Sequence, residues 1–169
     1  MRPFRYCPAC AGTLEAGDDE GGLRCPSCGR IWYRNPAPTI AAVMVQDGRA
    51  LVAIRAREPH RGKVDIPGGF LNVAEQPLDG LRREVREELG VEIEVNDRDY
   101  VQAVAHRYGD EGDWLVAMGF VARLVSGEIR PGDDVADVMW VTRAEVDQLE
   151  WAWEHDKALV KKALDDGYG

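Results

Sequence analysis

Gly69-Phe70-Leu71-Asn72-Val73-Ala74-Glu75-Gln76-Pro77-Leu78-Asp79-Gly80-Leu81-Arg82-Arg83-Glu84-Val85-Arg86-Glu87-Glu88-Leu89-Gly90-Val91 passes from a glycine-bounded loop into a helical pattern at Gln76. Pro77 suits the first turn of a helix and Gly90 its C-terminal stop, so the spacing predicts a helix over residues 76–89. Leu78, Leu81, Val85 and Leu89 recur at helical spacing and are expected to face a core. On the same helix Glu84, Glu87 and Glu88 stand at i, i+3 and i+4, which gathers three carboxylates on one face. Three like charges together are costly unless a cation neutralises them, and an all-oxygen ligand set suits Mg2+ or Mn2+ better than zinc. Taken alone, the trio also fits a solvated acidic face balanced by Arg82, Arg83 and Arg86.

Upstream, Asp65-Ile66-Pro67-Gly68-Gly69 implies tight turning and follows a basic loop with Arg55, Arg57, Arg61 and Lys63. Residues 39–46 and 50–54 are rich in Val, Ile and Ala and are separated by Gln46-Asp47-Gly48-Arg49, which predicts a β-hairpin. Downstream, residues 91–95, 100–107, 114–125 and 138–142 read as strands, and 143–149 and 153–165 as helices. The mixture predicts an α/β sandwich.

The N-terminus has a different character. Cys7, Cys10, Cys25 and Cys28 form two C-x2-C pairs, each in a Cys-Pro-x-Cys turn, and no cysteine is left over. Two such turns can place four thiolates tetrahedrally around zinc and leave no open position for a substrate. The alternative, two disulfides, is disfavoured for a chain with no secretion signal. So short a segment buries too little surface to fold alone, and zinc would supply its folding energy, roughly 10–16 kcal/mol at neutral pH. Arg34-Asn35-Pro36-Ala37-Pro38 enforces extended backbone and marks a boundary. The chain thus divides into a zinc ribbon over residues 1–35 and a second domain over 36–169.

The whole chain has 169 residues, of which 45% are apolar, and a net charge of −9. That composition predicts a real core and excludes a disordered chain. With no long apolar stretch, a membrane-free, cytoplasmic protein is expected. The acidic balance disfavours nucleic-acid binding, because a polyanion is normally held by a basic surface. In the ribbon, Arg2, Arg5, Arg24, Arg30 and Arg34 are nearly cancelled by Glu15, Asp18, Asp19 and Glu20.

Residues 69–91 read G-x5-E-x7-R-E-U-x-E-E-x-G-U, with U a bulky aliphatic residue and every fixed place filled. This resembles the signature of the Nudix hydrolases. The resemblance implies an α/β/α sandwich with a mixed sheet, in which a loop-helix-loop holds Mg2+ (or Mn2+) against a diphosphate. Glu84, Glu87 and Glu88 match the metal-binding acids, and the carbonyl of Gly68 matches a backbone ligand. Arg83 and Glu75 match the pair that braces the loop and orients the acids. Glu84 is one candidate for activating the attacking water; Asp110, Glu111, Asp113, Asp133 and Asp134 are candidates from later loops. Asn72, Ala74 and Val64 depart from the residues commonest at those places.

A four-cysteine ribbon before such a domain also resembles NADH pyrophosphatases and a group of enzymes that hydrolyse FAD and ADP-ribose. The S-Q-P-W-P-F-P-x-S block of NADH pyrophosphatases has no counterpart after Val91, and Cys28-Gly29-Arg30-Ile31-Trp32-Tyr33-Arg34-Asn35-Pro36 looks closer to the second group. The resemblance therefore implies hydrolysis of a nucleoside diphosphate linked to another moiety. NADH cleavage or decapping of NAD-linked RNA is the alternative, and a non-catalytic nucleotide sensor is the rival from another class. A small nucleotide is the expected partner, with room for a homodimer. Arg55 and Arg57 are candidate phosphate contacts. Tyr108, Trp114, Trp151 and Trp153 could stack on a base but are expected mostly in the core, and His60, His106 and His155 are isolated in sequence.

Overall fold

The computed structural model describes residues 4–17, 21–33, 35–109 and 112–168. Three two-residue strands, β1 (Glu15–Ala16), β2 (Leu23–Arg24) and β3 (Ile31–Trp32), pair antiparallel in the order β1-β2-β3. The buried apolar residues of this segment are Cys7 and Cys25 themselves.

β4 (Ala37–Gln46) and β5 (Arg49–Arg55) form the expected hairpin. Asp47 and Gly48 both take positive φ, 50° and 70°, as the tight turn that matches strand twist demands. Two short strands, β6 (Val64–Asp65) and β7 (Gly68–Phe70), lead into α1 (Pro77–Leu89). Then come β8 (Glu92–Glu94), β9 (Tyr100–Arg107), β10 (Trp114–Ser126), β11 (Val135–Thr142) and α2 (Glu154–Asp165). The main sheet runs β11-β5-β4-β10-β8, with β6 on β5, β7 on β4 and β9 on β10. β4 and β10 are parallel, from Ala37 opposite Leu115 to Met44 opposite Ala122, and the other pairs are antiparallel.

Alternation along β4 sends its side chains into two cores. Ile40, Ala42 and Met44 pack with Leu81, Val85 and Leu89 of α1, while Val43 packs with Leu159, Val160 and Ala163 of α2. The sheet is thus covered by one helix on each face, an α/β/α sandwich. Leu81, Val85 and Leu89 are fully buried and Leu78 partly so; each full burial contributes about 1.5–3 kcal/mol.

The helix expected over 143–149 is reduced to one 3-10 turn, Val146–Gln148. Its continuation is cut short where the Trp151 indole donates to the Val146 carbonyl, the acceptor that a further α-helical turn would use. Among the described residues no helix is long and apolar enough to cross a membrane.

Candidate active site

The turn between β6 and α1 brings backbone close to the acids of α1. Gly68 holds φ at 153°, and a Cβ there would lie 2.1 Å from the Ile40 carbonyl oxygen. At Gly69 a Cβ would lie 2.6 Å from the Glu84 carboxyl carbon. The Gly68 amide donates to Glu88 Oε2 at 2.9 Å, fixing a carboxylate that is 5% exposed. Burial pushes the Glu88 carboxyl well above the usual carboxylate range, and Asp134, within hydrogen-bonding reach, pushes it further. Glu84 is also raised, first by burial and then by Glu87 and Asp134, against the pull of Arg83.

Arg83 organises the rest. It grips Glu75 through two parallel bonds of 2.8 and 2.9 Å, and its Nη1 donates to Glu84 at 2.8 Å and Glu87 at 2.9 Å. Its Nη2 also reaches the Phe70 carbonyl at 3.1 Å. Hydrogen bonding to Arg83 holds the Glu75 carboxyl down at about 2. Glu84 and Glu88 line a cavity of about 300 Å³ together with Gly68, Gly69, Asp133 and Asp134, a volume at the lower end of ordinary ligand pockets. Glu87 stands half-exposed on Arg83. Buried carboxylates pressed against like charge, with oxygen donors alone, fit a divalent cation.

Of the acids expected from later loops, Asp134 enters the cavity beside Glu88, where the Ala56 amide holds its carbonyl at 2.7 Å. Asp133 also lines it and pairs with Arg57 at 2.7 Å. Asp113 accepts the Tyr108 amide through its carbonyl. Asp110 and Glu111 lie outside the described residues.

Arg55 is placed differently from a free phosphate contact. It is buried, bonded to Asp65 Oδ2 at 2.6 Å and the Pro59 carbonyl at 2.8 Å, with its guanidinium 4.7 Å from the centre of the Trp153 ring. Behind it lies a pair that sequence reading missed, Asp65 and Asp156. Burial raises both carboxyls, most strongly Asp156. Arg55 is bonded to Asp65 and pulls its carboxyl back down, while Asp65 in turn pushes Asp156 further up. Around them stand His106, Tyr108, Trp153 and His155, all lining the same cavity.

In the ribbon the four cysteine sulfurs lie within 4.8 Å of one another, the group with metal-site geometry among the described residues. Sγ–Sγ separations of 3.7 Å (Cys7–Cys28) and 3.5 Å (Cys10–Cys25) are those of free thiols. Burial raises the Cys7 thiol, but amide bonds from Ala9 and Cys10 outweigh it and bring it down to about 6. At Cys10 the Gly12 amide pulls downward, but hydrogen bonding to Cys25 and Cys28 together with burial prevails, pushing it up to about 12. Four soft donors in that contest fit a zinc ion.

The NUDIX domain family matches residues 35–163. An NAD-capped RNA hydrolase NudC of Chromobacterium violaceum is 31% identical over 143 residues, 80% of this chain and 49% of that protein; the chain thus spans about half the length of that relative. An ADP-ribose pyrophosphatase of Methanocaldococcus jannaschii is 25% identical over 127 residues, 75% of this chain and 73% of that one. The crystal structure of a NUDIX hydrolase from Nitrosomonas europaea has a TM-score of 0.80 at 24% identity, covering 98% of this chain and 93% of that one. With its acidic helix seated on a glycine turn and a family match across most of its length, the chain belongs to the NUDIX family.

Proposed function

We propose that the chain hydrolyses the diphosphate bridge of a nucleoside diphosphate linked to a second moiety, of the kind found in FAD and ADP-ribose. The observation that carries this reading is the group Glu84, Glu88 and Asp134 at one end of a cavity whose other end is aromatic. Glu84 and Glu88, with Asp134 beside them and Glu87 at the rim, would hold a divalent cation. Mg2+ or Mn2+ held there would neutralise phosphate oxygens and make water a better nucleophile. Arg83 and Glu75 keep the acids in register, and Gly68 offers backbone where no side chain intrudes. Glu84 or Asp134 would take a proton from the attacking water. The ribbon is read as structural, with one zinc on Cys7, Cys10, Cys25 and Cys28.

The second reading, cleavage of NADH or an NAD-capped RNA, is favoured by the naming of the Chromobacterium relative. One experiment separates these. Release of phosphate esters is measured with Mg2+ across FAD, ADP-ribose, NADH, diadenosine polyphosphates and NAD-capped RNA, with Glu88→Gln as control. Selective turnover of FAD or ADP-ribose, lowered about 100-fold or more in Glu88→Gln, is expected. Preference for the NAD-linked substrates supports the second reading. Tight binding without turnover makes the chain a sensor and overturns both.

A further inference from the structure

Asp134 reaches Glu88 from the loop 127–134, which joins β10 to β11 and is held in place by two other segments. On one side the loop lies across the end of α1. There the Arg130 amide donates to the Leu89 carbonyl at 2.9 Å and the Gly132 amide to the Glu88 carbonyl at 2.8 Å, carbonyls of the last turn for which a helix supplies no donor of its own. On the other side the loop continues the pairing of β11 with β5. Val135 stands opposite Arg55, the last residue of β5. One place further out the Ala56 amide donates to the Asp134 carbonyl at 2.7 Å. One place beyond that, Arg57 meets Asp133.

At this last position a side chain takes over from the ladder. Asp133 has a φ of 49°, in the left-handed region, which a residue with a Cβ enters only against steric resistance, less for Asp than for most. Its carboxylate accepts from Arg57 Nη2 at 2.7 Å, and its carbonyl oxygen lies 3.5 Å from the same nitrogen. A single guanidinium nitrogen thus bears on both the side chain and the backbone of the strained residue, immediately before the acid that stands beside Glu88.

Exposure decides what this contact can do. Arg57 is 63% exposed and Asp133 52%, and an ion pair so open to water adds little to the stability of a whole fold. Nor does Arg57 line the cleft, whereas Asp133 and Asp134 both do. Its influence is local: it biases the backbone of Asp133, and with it the direction in which Asp134 leaves the loop.

We propose that Arg57 is a positioning residue, which holds Asp133 in its left-handed turn and so keeps Asp134 against Glu88. The proposal rests on the reading above that Glu84, Glu88 and Asp134 hold a divalent cation. The sign of the effect separates positioning from simple charge. A guanidinium near the acids repels a divalent ion, so by charge alone its deletion tightens metal binding. Deletion of a residue that positions an acid loosens it.

The test is Mn2+ binding to the full chain without nucleotide, followed by the electron paramagnetic resonance of free Mn2+ at fixed ionic strength. Wild type is expected to bind Mn2+ and Glu88→Gln to bind it clearly more weakly. Arg57→Ala is expected to weaken binding about threefold to fivefold, within what an exposed ion pair supplies, with its thermal midpoint unchanged. Arg57→Lys, which keeps a cation opposite Asp133, retains most of the wild-type affinity. In an Asp134→Asn background Arg57→Ala causes no further loss, because the acid it positions is gone. Unchanged or tighter binding in Arg57→Ala overturns the positioning role, as does an undiminished loss in the Asp134→Asn background. When Glu88→Gln weakens binding and Arg57→Ala does not, the positioning role alone is refuted. When wild type and Glu88→Gln bind Mn2+ alike, the cation reading fails and the positioning role with it.

Discussion

Gly68 and Gly69 are neighbours that are glycine for different reasons. At Gly68 a Cβ would strike backbone, the Ile40 carbonyl at 2.1 Å, at a φ that L side chains rarely adopt. Backbone in the sheet cannot yield, so Gly68→Ala is expected to cost about 3 kcal/mol or more and to lower the thermal midpoint clearly. At Gly69 the obstacle is the Glu84 carboxylate, the mobile end of a side chain. Gly69→Ala should therefore leave stability within about 1 kcal/mol of wild type while displacing Glu84 and lowering kcat tenfold or more. Melting curves and turnover rates of the two variants check the contrast; a fully active Gly69→Ala would remove Glu84 from the chemistry. The glycines, Glu75, Arg83 and the three acids were legible because they sit on one continuous local segment. Asp134 could be named only as one of several acids, because its approach to Glu88 depends on β11 pairing with β5.

At the scale of elements, legibility follows whether an element's own side chains decide it. α1 has an apolar stripe, a proline at its start and Gly90 in the left-handed conformation at its end, so its limits could be read directly. The segment 143–149 has a similar pattern, but the Trp151 indole takes the Val146 carbonyl, which the spacing of apolar residues cannot reveal. β6 and β7 are too short to carry a period of their own and exist because β5 and β4 offer them partners. The ribbon is a third case, since its two-residue strands surround thiols instead of a core. Its order should therefore depend on metal. Purified protein is expected to contain about one zinc per chain. Chelation or Cys25→Ser should remove it and expose residues 4–33 to protease, with the main unfolding transition retained. Mass spectrometry of the digest and metal analysis test this, and a zinc-free protein whose ribbon resists cleavage would contradict it.

Across the whole molecule, the sandwich joins two chemistries by placing α1 and α2 on opposite faces of one sheet and letting both reach a single cleft. The acidic end was readable from α1 alone. The distal end was not, because Asp65, His106 and His155 come from β6, β9 and α2 and meet only when β4 and β10 align in parallel. That distal end also couples folding to pH. Burial, and then the neighbouring His106, lower His155 from 6.5 to about 4; the other groups around it are Asp156, Asp65 and Arg55. The unfolded chain therefore binds this proton more readily than the folded one. The stability His155 contributes is fully present above pH 6.5 and is lost as the pH falls towards 4. At about 1.36 kcal/mol per unit, the shift corresponds to roughly 3 kcal/mol, which partial solvent access reduces to about 1–2 kcal/mol. Asp156, raised by its burial, acts with the opposite sign and is present in both His155→Gln and wild type. Urea unfolding at intervals between pH 7 and 4 should show His155→Gln losing about 1–2 kcal/mol less than wild type; parallel losses would mean that the imidazole is already solvated and protonated in the folded state.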